Sequence, residues 1–230
     1  AQSQLKGLGN ATWAGLAELS ALGDKAKLQA RLLELTGLVS GLGMAVLLPI
    51  AAYNRAFVHL WVSQSVYAGD AVTELACLNA WLWAIFSLWG WIILGAGLIR
   101  QWMPFAIFST LINIVVSVIG TTTLGLIGPL LGTLTALLLV TSWALPLTLY
   151  RIWRILPRAL WWAALRPLYW SLPYGLLLWL VARFFPPANW IGFLTATSAA
   201  IAGGLTLWWS LSLRRDERSE WQARLRNMIP

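Results

Sequence analysis

Charge is scarce in this chain. Lysine, arginine, aspartate and glutamate supply 10% of its 230 residues, where a soluble domain carries about a quarter. A water-soluble globule so poor in charge would leave large apolar patches bare, which excludes that class. Histidine and cysteine are scarcer still, with His59 and Cys77 each the single example of its kind. One cysteine excludes a disulfide framework within the chain. One histidine beside one cysteine leaves too few ligands for zinc or haem and too few groups for triad chemistry. No metal, no cofactor and no catalytic residue is therefore expected, and the chain is read as a non-enzyme.

What is abundant is apolar surface. Hydrophobic residues make up 59% of the chain, 17 of them tryptophans, and the mean hydropathy is +0.71. A bilayer resolves the exposure problem by acting as the apolar solvent, and a chain spanning it must close every backbone hydrogen bond within its own helices. The fold class expected is therefore an all-α integral membrane protein. A net charge of +8 on a soluble protein would point to nucleic acid. Here the bases sit in short loops and near the carboxyl end, where they meet cytosol and anionic lipid headgroups. The lipid bilayer is the expected partner, and nucleic acid is not.

Charge-free intervals locate the spans. Twenty uncharged residues separate Glu34 from Arg55 and 25 separate Glu74 from Arg100, each matching the roughly 20 residues that cross a hydrocarbon core. The 50 residues from Gln101 to Tyr150 are too many for one span. A turn at Thr121–Gly125, followed by Gly128-Pro129, divides them into about 103–121 and 126–149. A basic connector with Arg151, Arg154, Arg158 and Arg166 follows. A short fifth span over 168–182, interrupted by Pro173, and a sixth over 189–212 are joined by a tight loop at Arg183–Pro187. The organisation expected is thus 1–22 as the end of a preceding helix, 23–150 as a four-helix membrane region, 151–167 as a basic connector, 168–212 as two further spans, and 213–230 as a charged tail. The polar opening at Ala1 fits a fragment of a longer protein, with loss of an initiator methionine as the other reading. Lys6 and Glu18 then lie either in a helix entering from the far side or in a solvated juxtamembrane helix.

Alternation of these spans sorts the bases. With the Lys25–Arg31 segment cytoplasmic, thirteen bases fall on the cytoplasmic side and only Arg55 and Arg183 on the other. That asymmetry obeys the positive-inside rule and places the carboxyl terminus in the cytosol.

Three stretches carry a resemblance. Ala14-Gly15-Leu16-Ala17-Glu18-Leu19 with Gly23-Asp24-Lys25 is similar to a "P-x-L-A-E-L … G-D" element. Asn54–Val62 with Tyr67-Ala68-Gly69 is similar to "N-x-x-F-V-x-L-W-V-G … Y-x-G". Asn113–Ser117 with Gly125–Gly128 is similar to "I-N-x-x-x-S … G-x-x-G". In this order and spacing they resemble the carboxyl-terminal half of the polysaccharide and O-antigen flippases of the multidrug/oligosaccharidyl-lipid/polysaccharide (MOP) superfamily. Ala14 stands where that family often has proline, and Ser63 where it has glycine.

The resemblance implies two inverted-V halves, of which this chain would supply the end of helix eight and helices nine to fourteen. It also implies a multi-pass protein of the bacterial cytoplasmic (inner) membrane that flips a polyprenyl-diphosphate-linked oligosaccharide by alternating access. Other membrane proteins of polysaccharide assembly, such as those building O-antigen lipopolysaccharide, would be its partners. Candidate cavity residues are Asn113 and Ser117, which share a helix face at i, i+4, with Asn79, Lys6, Arg55 and Arg100. For Asn113 and Ser117 the other reading is an interhelical hydrogen bond, and for Arg55 and Arg100 it is an interface anchor. Gly37, Gly41, Gly128 and Gly132 fit close helix packing or a hinge, while Pro49 and Pro146 fit helix bends. The tryptophans are read mostly as belt and lipid-facing residues, with Trp81, Trp83 and Trp89 as candidates for sugar stacking. Two further readings stay open: a cation-coupled multidrug efflux transporter, which favours an intramembrane carboxylate, and a non-catalytic membrane subunit or membrane enzyme of glycan assembly.

Overall fold

A computed structural model describes residues 24–212. The expected helix end at 1–22, Lys6 within it, and the tail at 213–230 lie outside the described residues. Helices dominate what is described, and no strand occurs among the described residues. In chain order they are α1 (Lys25–Trp61), α2 (Asp70–Gly95), α3 (Ile99–Leu124), α4 (Ile127–Trp153), α5 (Pro157–Leu165), α6 (Leu168–Phe184) and α7 (Trp190–Ser212). Five of them, α1 to α4 and α7, are long and apolar enough to cross a bilayer. At 17 residues, α6 spans about 25 Å, slightly less than a hydrocarbon core.

Local chemistry sets the helix ends. Asp24 starts α1 by accepting a hydrogen bond from the Lys27 backbone N–H at 3.1 Å, and its other oxygen pairs with Lys27 Nζ at 3.0 Å. Asn189 caps α7 by accepting from the Gly192 N–H at 2.7 Å. Between α3 and α4 the chain reverses at Gly125, whose φ of 62° lies in the left-handed region that glycine enters without a Cβ penalty. The threonine run expected to form this turn is still helical. Thr122 and Thr123 each bond back to the Ile119 carbonyl, at 2.8 and 3.0 Å, so the helix persists to Leu124. Likewise α6 continues through Arg183 and Phe184, and most of the basic connector is α5.

Two compact units divide the chain, and the division falls inside α1. Among the described residues the first comprises 24–40 together with 68–164; the second comprises 41–67 and 165–212. In the first unit, Trp89 is wholly buried and its indole N–H donates to Thr36 Oγ1 at 2.9 Å. Trp81 donates to Ser40 Oγ at 3.2 Å, and Ser40 in turn donates to the Ala164 carbonyl at 2.6 Å. Trp161 of α5 stands edge-on to Trp89 and Phe86, with ring centroids 5.5 and 5.9 Å away.

The second unit is built around Tyr53, Leu178 and Ala200. Tyr174 donates to the Ala200 carbonyl at 2.5 Å, and Trp170 to Ser212 Oγ at 2.6 Å. Pro49 lacks the N–H that would bond to the Ala45 carbonyl one turn back. Gly204 of α7 lies against that same carbonyl, where an added Cβ would sit only 3.1 Å away. Gly41 faces the Trp208 indole. The tryptophans therefore split into two populations. Trp81, Trp89, Trp153, Trp170 and Trp208 are buried, three of them with a hydroxyl partner for the indole N–H, while the other ten described tryptophans are at least partly exposed.

Candidate functional site

Within the first unit, α2, α3 and α4 enclose a cleft of about 610 Å³, within the range of small-molecule sites. Its walls follow helical spacing. Trp83, Ser87, Gly90, Trp91 and Leu94 come from α2; Trp102, Ala106, Ser109, Thr110 and Asn113 from α3; Thr133, Leu137, Thr141 and Leu145 from α4. No charged side chain is among the lining residues.

From the lining pair Asn113 and Thr133 toward the α3–α4 turn, the two helices approach closely. An added Cβ at Gly120 would lie 2.8 Å from Gly128 Cα, and one at Gly132 would lie 2.7 Å from the Asn113 carbonyl oxygen. At this separation side chains can bond across the pair. Asn113 Nδ2 donates to Thr133 Oγ1 at 3.3 Å, Ser117 donates to Asn113 Oδ1 at 3.0 Å, and Thr133 donates to the Pro129 carbonyl at 3.1 Å. The hydroxyl protons are thus committed within the protein, whereas oxygen lone pairs and the second amide N–H of Asn113 remain for a guest.

Higher in the cleft α4 widens into a π turn over Leu137–Thr141, closed by the Ser142 N–H bonding to the Leu137 carbonyl. Such one-residue insertions shift the register of a helix face and cluster at functional sites. Here the insertion aims Thr141 toward α3, where its hydroxyl stands 3.5 Å from Ser109 Oγ. Pro146, buried, follows one turn later.

The expected site residues fall into separate places. Asn113 lines the cleft and also makes the interhelical bond, while Ser117 supports it from one turn below. Asn79 is buried outside the cleft; its Nδ2 donates to the Leu130 carbonyl at 2.8 Å, and its Oδ1 has no partner. Arg55 and Arg100 are exposed, and neither lines the cleft. Of the three stacking candidates only Trp83, 63% exposed, borders the cleft. Gly37 has only the Ala163 carbonyl near its missing Cβ, at 3.7 Å. Ser109, Thr110, Thr133 and Thr141 escaped sequence reasoning, because single hydroxyls in apolar helices carry no signal until their faces are known to converge. No protein-family model, no curated protein and no solved structure matches this chain.

Proposed function

We propose that this chain is part of a transporter that flips a polyprenyl-diphosphate-linked oligosaccharide across a bacterial cytoplasmic membrane by alternating access. The observation that carries the reading is the chemistry of the cleft, where an uncharged row of hydroxyls and one amide is flanked by Trp83, Trp91 and Trp102 inside a highly apolar bundle. A neutral, hydroxyl-rich sugar needs such a lining. Its hydroxyls would be costly in hydrocarbon without partners, and its C–H faces stack on indole. A drug cation exchanged for sodium or protons would instead want a carboxylate at membrane depth, and the sequence holds none between Glu74 and Asp216.

The motif order gives further support. Asn113, Ser117, Gly125 and Gly128, which carry part of the flippase resemblance, are the residues that tie and turn the α3–α4 hairpin under the cleft.

Complementation tests the reading. The complete gene, expressed in a strain lacking its polysaccharide flippase, is expected to restore surface polysaccharide. Trp83→Ala is expected to lower that restoration several-fold at unchanged protein level, since an exposed ring adds little to stability. Failure of the wild-type gene in several glycan backgrounds would reject the proposal.

A further inference from the structure

The connector between α4 and α6 carries features that neither packing nor transport requires. Helix α5 is held to its unit by Leu160, Trp161 and Ala164. Its outward stripe, at i, i+4 and i+7, reads Arg158, Trp162 and Leu165, all exposed, with Trp162 at 69%. Three residues, Arg154 to Leu156, separate α5 from the end of α4. A three-residue linker reaches about 10 Å at most, so the stripe cannot leave the neighbourhood of the membrane surface at which α4 ends.

Arg154 itself sits at φ 60°, a conformation that is strained for a residue with a Cβ and that glycine would adopt freely. The strain is retained at a residue whose guanidinium lies over the Tyr150 ring, 5.6 Å from its centroid. Arg151 and Arg154 are exposed beside it. Neither ion pair among the described residues, Lys27–Asp24 or Arg31–Glu34, involves these arginines. No aspartate or glutamate occurs in the sequence between Glu74 and Asp216.

We infer that Arg151, Arg154 and Arg158, with Trp162 and Leu165, form a docking surface for anionic phospholipid headgroups of the leaflet that α4 reaches. An arginine–tryptophan–leucine stripe matches that boundary layer by layer. The guanidinium pairs with phosphate, the indole lies at the carbonyl level and the leucine meets acyl chain. The stripe carries arginines and no acid of its own, and a lipid surface supplies phosphate along its whole length.

The test uses the purified full chain in neutral detergent, with phosphatidylglycerol or phosphatidylcholine added and bound lipid counted by native mass spectrometry. The wild type is expected to prefer phosphatidylglycerol on the order of a hundredfold, the effect of three surface arginines near anionic headgroups. The triple variant Arg151→Gln/Arg154→Gln/Arg158→Gln is expected to lose that preference. Arg154→Gly removes one charge while relieving the backbone strain, so it is expected to fold at least as well as wild type and to bind several-fold more weakly. Equal binding of the two lipids by the wild type would overturn the inference even if the triple variant failed to fold. So would a triple variant that keeps the preference, or displacement of phosphatidylglycerol by millimolar inorganic phosphate.

Discussion

Replacing Gly128 by alanine should open the α3–α4 hairpin and destabilise the chain, whereas the same change at Gly90 should stabilise α2. An alanine methyl at 128 would collide with the Thr121 amide nitrogen and the Gly120 carbonyl carbon and would lie 2.7 Å from Thr121 Cα. These are backbone atoms, so no rotamer change relieves them, and restoring contacts of about 3.5–4.0 Å requires moving a whole helix. Gly120 is the only residue of α3 that is buried, so the movement disturbs the main contact by which that helix is held. Overpacking of this kind costs about 1–3 kcal/mol. For a chain of this size that corresponds to roughly 2–12 °C in melting temperature. At Gly90 an added Cβ meets nothing within 4 Å, and the helical propensity of alanine should contribute up to about 1 kcal/mol of stabilisation. Thermal unfolding in detergent can be followed with a thiol-reactive dye, because half-buried Cys77 is the only cysteine. Gly128→Ala should react at lower temperature than wild type and Gly90→Ala at equal or higher temperature. A Gly128→Ala protein as stable as wild type, or both variants shifting the same way, would refute the close approach as the source of hairpin stability.

Thr36→Val keeps the shape of a buried side chain but removes the oxygen that accepts the Trp89 N–H at 2.9 Å; the stranded indole should cost about 1–3 kcal/mol, read in the same melting assay. A Thr36→Ser protein, which keeps the acceptor, should recover most of the loss of the hydrogen bond. Asp24 is held below the usual carboxylate range, first by the Lys27 backbone N–H and then by its side chain. Its cap therefore contributes above that range and is lost only as the pH falls through the lowered value. The Lys27 amide resonance should hold its NMR position down to about pH 4, the ordinary aspartate value, and move below it; a transition above that pH would contradict the cap.

Membrane character was legible because its cause is additive. Each charge carried into hydrocarbon is penalised wherever it points, so the bare count of uncharged residues between Glu34 and Arg55, or Glu74 and Arg100, already located α1 and α2. The same reasoning placed α3, α4, α6 and α7 to within a few residues. It failed at Thr121–Thr123, where hydroxyls that favour turns in water bond back to the helix instead. Burial was not legible in this way. Trp81, Trp83 and Trp89 are the same residue type within nine positions of one helix, yet two are buried and one borders the cleft. Only the rotation of α2 against its neighbours, and the presence of Ser40 and Thr36 opposite two of the indoles, separates them. The cleft itself needed α2, α3 and α4 together, since Ser109, Thr133 and Thr141 become a site only when a π turn and a pair of glycines bring their faces into register. Composition thus determined the solvent in which this chain folds, a property summed residue by residue. The pairing of helix faces determined which polar groups meet, because that depends on distances between residues far apart in the chain.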